Sequence, residues 1–185
     1  MTPYKLEVTA EKLDETFRSN YYSYLHSEEF EKTFLTRVGA QINLRGRSCL
    51  DVGCGEGWLS KFVNNNISYV GIEGSKVAVG RAAVKYPHRT FLVDRIDKYP
   101  FHCSGTFDTI VFGGILDVYI EPEQRIPFLE SYLKFGPQHF IIYDLERLDH
   151  QPLSERFKLV HEEHHSVEME LQEVKKHRKI LVYEC

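Results

Sequence analysis

The strongest chemical signal in the sequence is a glycine-rich segment at residues 50–57, Leu-Asp-Val-Gly-Cys-Gly-Glu-Gly. Glycine lets a backbone turn sharply and approach a ligand closely because it has no Cβ. A dinucleotide loop needs the spacing G-x-G-x-x-G, but here Gly57 comes one residue early and Trp58 takes its place. Asp51 and Glu56 add negative charge, which disfavours a pyrophosphate. The loop therefore favours a cofactor with a positive centre and no phosphate.

The elements around this loop alternate between apolar runs and helical segments from residue 47 onward. The runs that predict strands are 49–52, 69–73, 90–93, 107–112, 139–143 and 179–183, and residues 167–174 alternate like a further strand. Strands separated by helices of about a dozen residues indicate parallel pairing, with helices on both faces of the sheet. Ligands of such sheets bind outside the carboxyl ends of the strands. The glycine loop and the residues that follow each later strand are therefore expected to meet at one edge.

The first 45 residues predict helices instead. Leu13 and Phe17 are spaced as on one helix face, and a second apolar stripe runs over residues 30–38, where Gly39 could end the helix. A chain of 185 residues is the size of one domain. We therefore expect a single domain over residues 1–185, with a helical cap at 1–45 and a Rossmann-like core at 46–185.

Residues 50–57 resemble motif I of the class I S-adenosylmethionine (SAM) dependent methyltransferases, and residues 107–114 resemble motif IV. The resemblance implies an α/β fold with a mostly parallel seven-stranded sheet whose last strand is antiparallel. It also implies SAM as the cofactor, S-adenosylhomocysteine (SAH) as the product, and methyl transfer as the activity. The residues that the resemblance assigns to the cofactor are Asp51, Gly53, Cys54, Gly55, Glu56, Gly57, Glu73, Gly74, Asp94, Arg95, Gly113 and Gly114.

Acidic residues in this set have specific implied roles. Glu73 would bind both ribose hydroxyls, and Asp94 would accept from the adenine amino group, because a carboxylate accepts two donors at once. The alternative is structural: Asp51 caps the loop, Glu73 caps the next helix and Asp94 is a turn residue. Their placement at the ends of three successive predicted strands favours the ligand-binding interpretation.

The residues that act on the acceptor give a thinner signal, because methyl transfer mainly requires in-line alignment of a nucleophile. Asp117, Tyr119 and Asp144 follow the fourth and fifth strands and are our candidate catalytic residues, with Asp117 either a base or a solvated loop residue. The candidate substrate contacts are Tyr21, Tyr22 and Tyr24, as a lid over the cofactor, and His150.

The acceptor class can be narrowed by elimination. The residues after the fourth strand, Gly113-Gly114-Ile115-Leu116, match neither the Pro-Pro motif of amino-methylating nucleic-acid enzymes nor a metal-binding carboxylate. The net charge is −4 and the pI about 6.1, which disfavours a large basic surface. We therefore expect a small-molecule or saccharide acceptor. A nucleic-acid methyltransferase and a SAM-binding regulatory module without turnover remain alternatives, and the glycine spacing disfavours a nicotinamide enzyme.

Charged clusters in the tail have plain interpretations. His161, His164 and His165 predict a polar helix end rather than a metal site, and we expect no bound metal. The basic run at 175–179 predicts a solvated hairpin turn, although a phosphate or RNA contact is the alternative. Four scattered cysteines, no signal peptide and no long apolar run favour a reduced cytoplasmic protein without membrane contact.

Overall fold

The computed structural model describes residues 9–19, 30, 34–96, 104–145, 147–169 and 174–185, with backbone alone at 167–169 and 174–176. Its centre is a seven-stranded sheet in the order β3-β2-β1-β4-β5-β7-β6. The strands are β1 Ser48–Val52, β2 Ser68–Glu73, β3 Thr90–Val93, β4 Thr109–Gly113, β5 His139–Leu145, β6 Lys158–Met169 and β7 Val174–Glu184. Strands β1 to β5 pair in parallel, and β7 lies antiparallel between β5 and β6. The predicted fold is confirmed.

Helices cover both faces of the sheet. They are α1 Ala10–Arg18, α2 Thr36–Asn43, α3 Lys76–Lys85, α4 Arg125–Glu130 and α5 Gln151–Arg156, with 3₁₀ turns at Trp58–Phe62, Pro122–Gln124 and Leu133–Phe135. One apolar cluster lies on each face of the sheet. One contains Val38 and Ile42 of α2, and the other contains Phe128 of α4 and Leu153 of α5. None of the described helices is long and apolar enough to cross a membrane.

Close packing explains why Gly39, which the sequence predicted at a helix end, lies elsewhere. Gly39 does not end its helix but lies inside α2. A Cβ there would come within 2.6 Å of both Cβ and the carbonyl oxygen of Phe62. The glycine therefore lets α2 approach the 3₁₀ turn that follows the glycine loop, and it helps to fix the position of that loop.

The C-terminal hairpin corrects two predictions. His161, His164 and His165 lie in β6, so the predicted helix end is wrong. The basic run lies within β7 rather than in a turn, and Arg178 and Lys179 are buried. Long basic side chains can bury their apolar stems, so a charged run need not be a solvated turn.

Candidate functional site

The glycine loop connects β1 to the following 3₁₀ turn and is held against the end of β2. Gly53, Gly55 and Gly57 have φ angles of 72°, 53° and 74°, a left-handed conformation that glycine adopts without strain. The backbone N–H groups of Gly53 and Cys54 both donate to the carbonyl of Ile72, at 2.8 and 3.1 Å. The loop is thus a tight turn whose backbone is oriented by the neighbouring strand.

Glu73 ends β2 directly beside this loop and is 7% exposed. Its Oε2 accepts from the Gly55 N–H at 3.2 Å, and its Oε1 accepts from the Ser75 N–H at 2.9 Å. Burial raises the pKa of Glu73, and these backbone donors oppose that rise. Because each carboxylate oxygen has two acceptor sites, Glu73 can accept two further donors from a ligand.

Asp51 is a second buried carboxylate, in β1, and is 1% exposed. The Tyr69 hydroxyl donates to its Oδ2, whereas no described group donates to its buried Oδ1. Burial raises the pKa of Asp51 to about 7, and the charge of Glu73 adds to the rise. An unpaired buried acceptor is costly, so this oxygen suits a cationic or N–H-bearing ligand.

Cys54, between the two loop glycines, is suited to packing rather than to reaction. Burial and the nearby acids raise the pKa of its thiol well above the ordinary value, which keeps it protonated. A Cβ on Gly71 of β2 would come within 2.7 Å of the Cys54 sulfur, so Gly71 leaves the space that Cys54 fills.

The residues predicted beside the adenine lie together after β2 and β3. Asp94 is 4% exposed, and its N–H donates to the carbonyl of Glu73 at 3.0 Å. Gly74 and Arg95 are adjacent, because a Cβ on Gly74 would lie 3.8 Å from Arg95 Cγ. The same point would lie 2.9 Å from Leu13 Cδ1, so α1 reaches this part of the site.

Helix α1 is attached across the loop by contacts that the sequence did not reveal. Asp14 accepts from the Ser75 hydroxyl at 2.6 Å and from the Val77 N–H at 3.2 Å, which places a carboxylate at the beginning of α3. The Ser75 hydroxyl bond and the Val77 N–H lower the pKa of Asp14, against the effect of burial. An acidic residue near a helix N-terminus is stabilising, so this contact fixes α1 to the core.

Arg81 of α3 connects the loop to α1. Its guanidinium donates to the Phe17 carbonyl at 2.8 Å and to Glu56 Oε1 at 2.7 Å. The Phe17 ring lies 3.5 Å from where a Cβ on Gly55 would be. Glu56, a predicted cofactor contact, is therefore engaged in an ion pair, and α1 covers the glycine loop.

The end of β4 contacts a tyrosine from β5. A Cβ on Gly113 would overlap the Tyr143 ring, and the Gly114 N–H donates to the Tyr143 carbonyl at 2.9 Å. Gly114 has a φ of 64° and open space where a side chain would project. Burial and the nearby Asp51 raise the pKa of Tyr143 well above its ordinary value. The predicted motif IV glycines thus leave room for an aromatic wall.

The candidate catalytic carboxylates lie together after β4 and β5. Asp117 pairs with Arg147 at 2.6 Å and lies 3.9 Å from Arg125. Asp144 is fully buried and accepts from the backbone N–H groups of Asp117 and Leu145, at 3.1 and 2.8 Å. Burial raises the pKa of Asp144. Both carboxylates are engaged within the protein.

The other acceptor-side candidates differ in their surroundings. Tyr119 is half-buried against the core on the α4 face. His150 Nδ1 lies 2.9 Å from the buried Lys179 Nζ, and its Nε2 lies 3.6 Å from Glu162. Tyr21, Tyr22 and Tyr24 lie outside the described residues.

Two of the β6 histidines, His161 and His165, lie near Glu163 of the same strand, whereas His164 Nε2 lies 3.0 Å from Glu162. Glu163 lies 2.8 Å from Arg37, 3.4 Å from His161 Nε2 and 3.8 Å from His165 Nε2. In the part of the chain that the structure describes, no group of three or more His, Cys, Asp or Glu residues is arranged to hold a metal ion.

A comparison with protein families matches residues 49–135 to a methyltransferase domain. This segment contains the glycine loop, both buried carboxylates and the motif IV glycines. No curated protein matches the chain significantly.

Solved structures with the same fold include magnesium protoporphyrin IX methyltransferase from Synechocystis PCC 6803, with SAM bound. It is 16% identical, with a TM-score of 0.65 over 95% of this chain and 97% of that one. The plantazolicin methyltransferase, with SAH bound, is 17% identical, with a TM-score of 0.60 over 96% of each chain. A putative RNA methyltransferase from Pyrococcus horikoshii is 15% identical, with a TM-score of 0.61 over 81% of this chain and 80% of that one. At such identities the likeness shows the fold.

Proposed function

We propose that this chain, whose residues 49–135 match a methyltransferase domain, is a class I S-adenosylmethionine-dependent methyltransferase that transfers a methyl group from SAM to a small-molecule or saccharide acceptor by in-line displacement. One observation carries the proposal: two buried carboxylates, Asp51 and Glu73, lie in the last two residues of adjacent strands beside a left-handed glycine loop. Asp51 Oδ1 lacks a donor among the described residues. Such a site suits a ligand with positive charge and hydroxyl donors.

The residues present fit this cofactor. Asp51 Oδ1 would accept from the cofactor ammonium, and Glu73 would accept from both ribose hydroxyls while it keeps its two backbone donors. Asp94 would accept from the adenine amino group, beside Gly74 and Arg95. The glycine loop allows the backbone to approach the bound molecule closely.

The bound cofactor supplies a methyl group on a sulfonium, whose departure as a neutral thioether needs no protonation. The protein therefore has to orient the acceptor and exclude water. Gly113, Gly114 and Tyr143 form the wall at the predicted methyl side. Asp117 and Asp144 would position the acceptor-side loops, because each is already held by internal donors.

The burial of two residues of the basic run at 175–179 favours a small acceptor over nucleic acid. Arg178 and Lys179 are 7% and 4% exposed, so these two side chains do not present a surface to phosphates. The structural neighbours act on a porphyrin, on plantazolicin and, in one putative case, on RNA. We also propose that the chain is a single domain in which residues 1–45 form a helical cap. We propose a cytoplasmic location as well.

Calorimetry with SAH tests the cofactor site. We expect Glu73→Gln to weaken SAH binding by about a hundredfold, because it loses two charge-assisted acceptor bonds. Glu56→Gln is the matched control: its carboxylate faces Arg81, so binding should change by less than about tenfold. Equal losses in the two variants would contradict the assignment of Glu73.

Labelled SAM tests the reaction itself. Purified protein incubated with labelled SAM and fractions of a cell extract should label a small, protease- and nuclease-resistant product. Label in RNA would contradict the proposed acceptor class but would still support a methyltransferase. SAH binding without label in any fraction would favour the regulatory alternative.

A further inference from the structure

Arg178 of β7 is buried and forms no ion pair with a described residue. It is 7% exposed, and its guanidinium lies over the rings of Phe30 and Phe34, at 5.2 and 5.8 Å. In the part of the chain that the structure describes, its side chain makes no ion pair and no hydrogen bond. Removing a charged group from water is costly unless it is paired, so this cation is arranged for a partner.

Aromatic rings connect Arg178 to the predicted methyl side of the cofactor site. Arg178 is opposite Leu145 at the carboxyl end of β5, two residues beyond Tyr143. The rings of Phe34 and Tyr143 pack edge to face with centroids 5.6 Å apart, and the Tyr143 ring lies over Gly113. Gly113, Tyr143, Phe34 and Arg178 therefore form a continuous wall.

The charges near this wall leave it cationic. On β6, His165 is opposite Arg178, and its Nε2 is buried without a hydrogen bond from the described residues. Glu163 is the nearby carboxylate, and Arg37 pairs with it at 2.8 Å. The charge of Arg178 also acts on Asp144, which lies on the opposite face of the sheet, but Arg178 forms an ion pair with neither carboxylate.

Building on the proposed function, we propose that Arg178 binds an oxyanion of the methyl acceptor, a carboxylate or a phosphate, while the partly buried Tyr143 contacts its planar apolar part. A guanidinium is a planar fork that matches both anions with two parallel hydrogen bonds. The acceptor is therefore a small acid with an unsaturated or aromatic body. This assignment gives the sequence-predicted small-molecule acceptor a charge and a shape.

Ligand-detected NMR titrations with three probes test this site, in the presence of saturating SAH at pH 7. Benzoate and phenyl phosphate carry the two anions on the same ring, and benzamide is their neutral analogue. We expect benzoate or phenyl phosphate to bind the wild type at least about tenfold more tightly than benzamide, which is the factor expected for one charge-assisted pair. The anion that binds more tightly shows whether the acceptor carries a carboxylate or a phosphate.

Variants assign this preference to Arg178. Arg178→Gln should remove the advantage of the anion, and Arg178→Lys should reduce it, since it keeps the charge but loses the fork. Arg47→Gln, which changes an exposed arginine beside the amino end of β1, should leave it unchanged. Equal binding of benzoate, phenyl phosphate and benzamide by the wild type would overturn the proposal, and this comparison needs no variant to fold.

The test separates this inference from the proposed function. If the wild type fails to bind SAH in calorimetry, the methyltransferase assignment fails first. If SAH binds and the anions show no preference, only the assignment of Arg178 fails. An anion preference that persists in Arg178→Gln also overturns it.

Discussion

Replacing Asp51 with Asn tests whether the buried carboxylate is kept for a ligand at a cost to the empty protein. Asn has nearly the same volume and keeps an oxygen that accepts from the Tyr69 hydroxyl. It lacks the charge that makes burial of Asp51 unfavourable. We expect Asp51→Asn to be more stable than the wild type at pH 8 and to bind SAH more weakly.

The size of the effect follows from the pKa of Asp51, which burial raises from 3.8 to about 7. Below pH 3.8 the carboxyl is protonated in both states and burial is not penalised. As the pH rises towards 7, the unfolded chain releases this proton more readily, so the free energy of unfolding falls. Three pKa units correspond to about 4 kcal/mol, of which about 3 kcal/mol is lost between pH 5 and pH 8.

Urea denaturation of both proteins at several pH values between 5 and 8 measures this directly. Titrating groups that do not interact with Asp51 cancel in the difference between the two proteins, so the advantage of Asp51→Asn should grow by up to about 3 kcal/mol across this range. A difference that is independent of pH would refute the raised pKa. SAH should also reduce the difference, because its ammonium favours the ionised carboxylate of the wild type.

Three further changes test other parts of the structure. Gly113→Ala should destabilise the protein by about 1–3 kcal/mol in thermal unfolding, because the new Cβ overlaps Tyr143. Gly114→Ala should destabilise it less, since the new Cβ has open space and only the left-handed backbone is strained. Arg89→Met should cost about 2–4 kcal/mol in urea denaturation, because the guanidinium donates to carbonyls of the loop before β2, and no change would contradict this role. Asp117→Asn should raise KM more than it lowers kcat and leave the pH profile of kcat unchanged; loss of the acidic limb of that profile would instead identify a general base.

The buried half of the sheet was predictable because its strands are continuous apolar runs. Strands β4 and β5 contain such runs at residues 110–112 and 140–143, and turn residues separate them. The positions of Glu73 and Asp94 at strand ends followed from the same pattern. Parallel pairing brings those ends to one edge, so the cofactor site was the part of the function that sequence could indicate.

Long-range contacts were not predictable from local pattern. The docking of Asp14 on α3 joins residues about sixty positions apart, and nothing near Asp14 in the sequence indicates its partner. The prediction for the edge hairpin failed for a different reason, because a spacing of four residues puts His161 and His165 on one face of either a helix or a strand. Charged residues at both spacings removed the apolar signal that would have distinguished the two.

The adjacent basic residues Arg178 and Lys179 show how strand geometry divides one sequence feature into two roles. Successive side chains of a strand point to opposite faces, so the two cations enter different cores. On one face Lys179 has His150 at 2.9 Å, with Glu162 beyond it, so its hydrogen bonding is provided by the protein. On the other face Arg178 lies over aromatic rings and forms no ion pair with the described residues. Since both are buried to a similar extent, burial alone does not mark a binding site. The unmet pairing of Arg178, beside the wall that leads to Gly113, is what points to the acceptor.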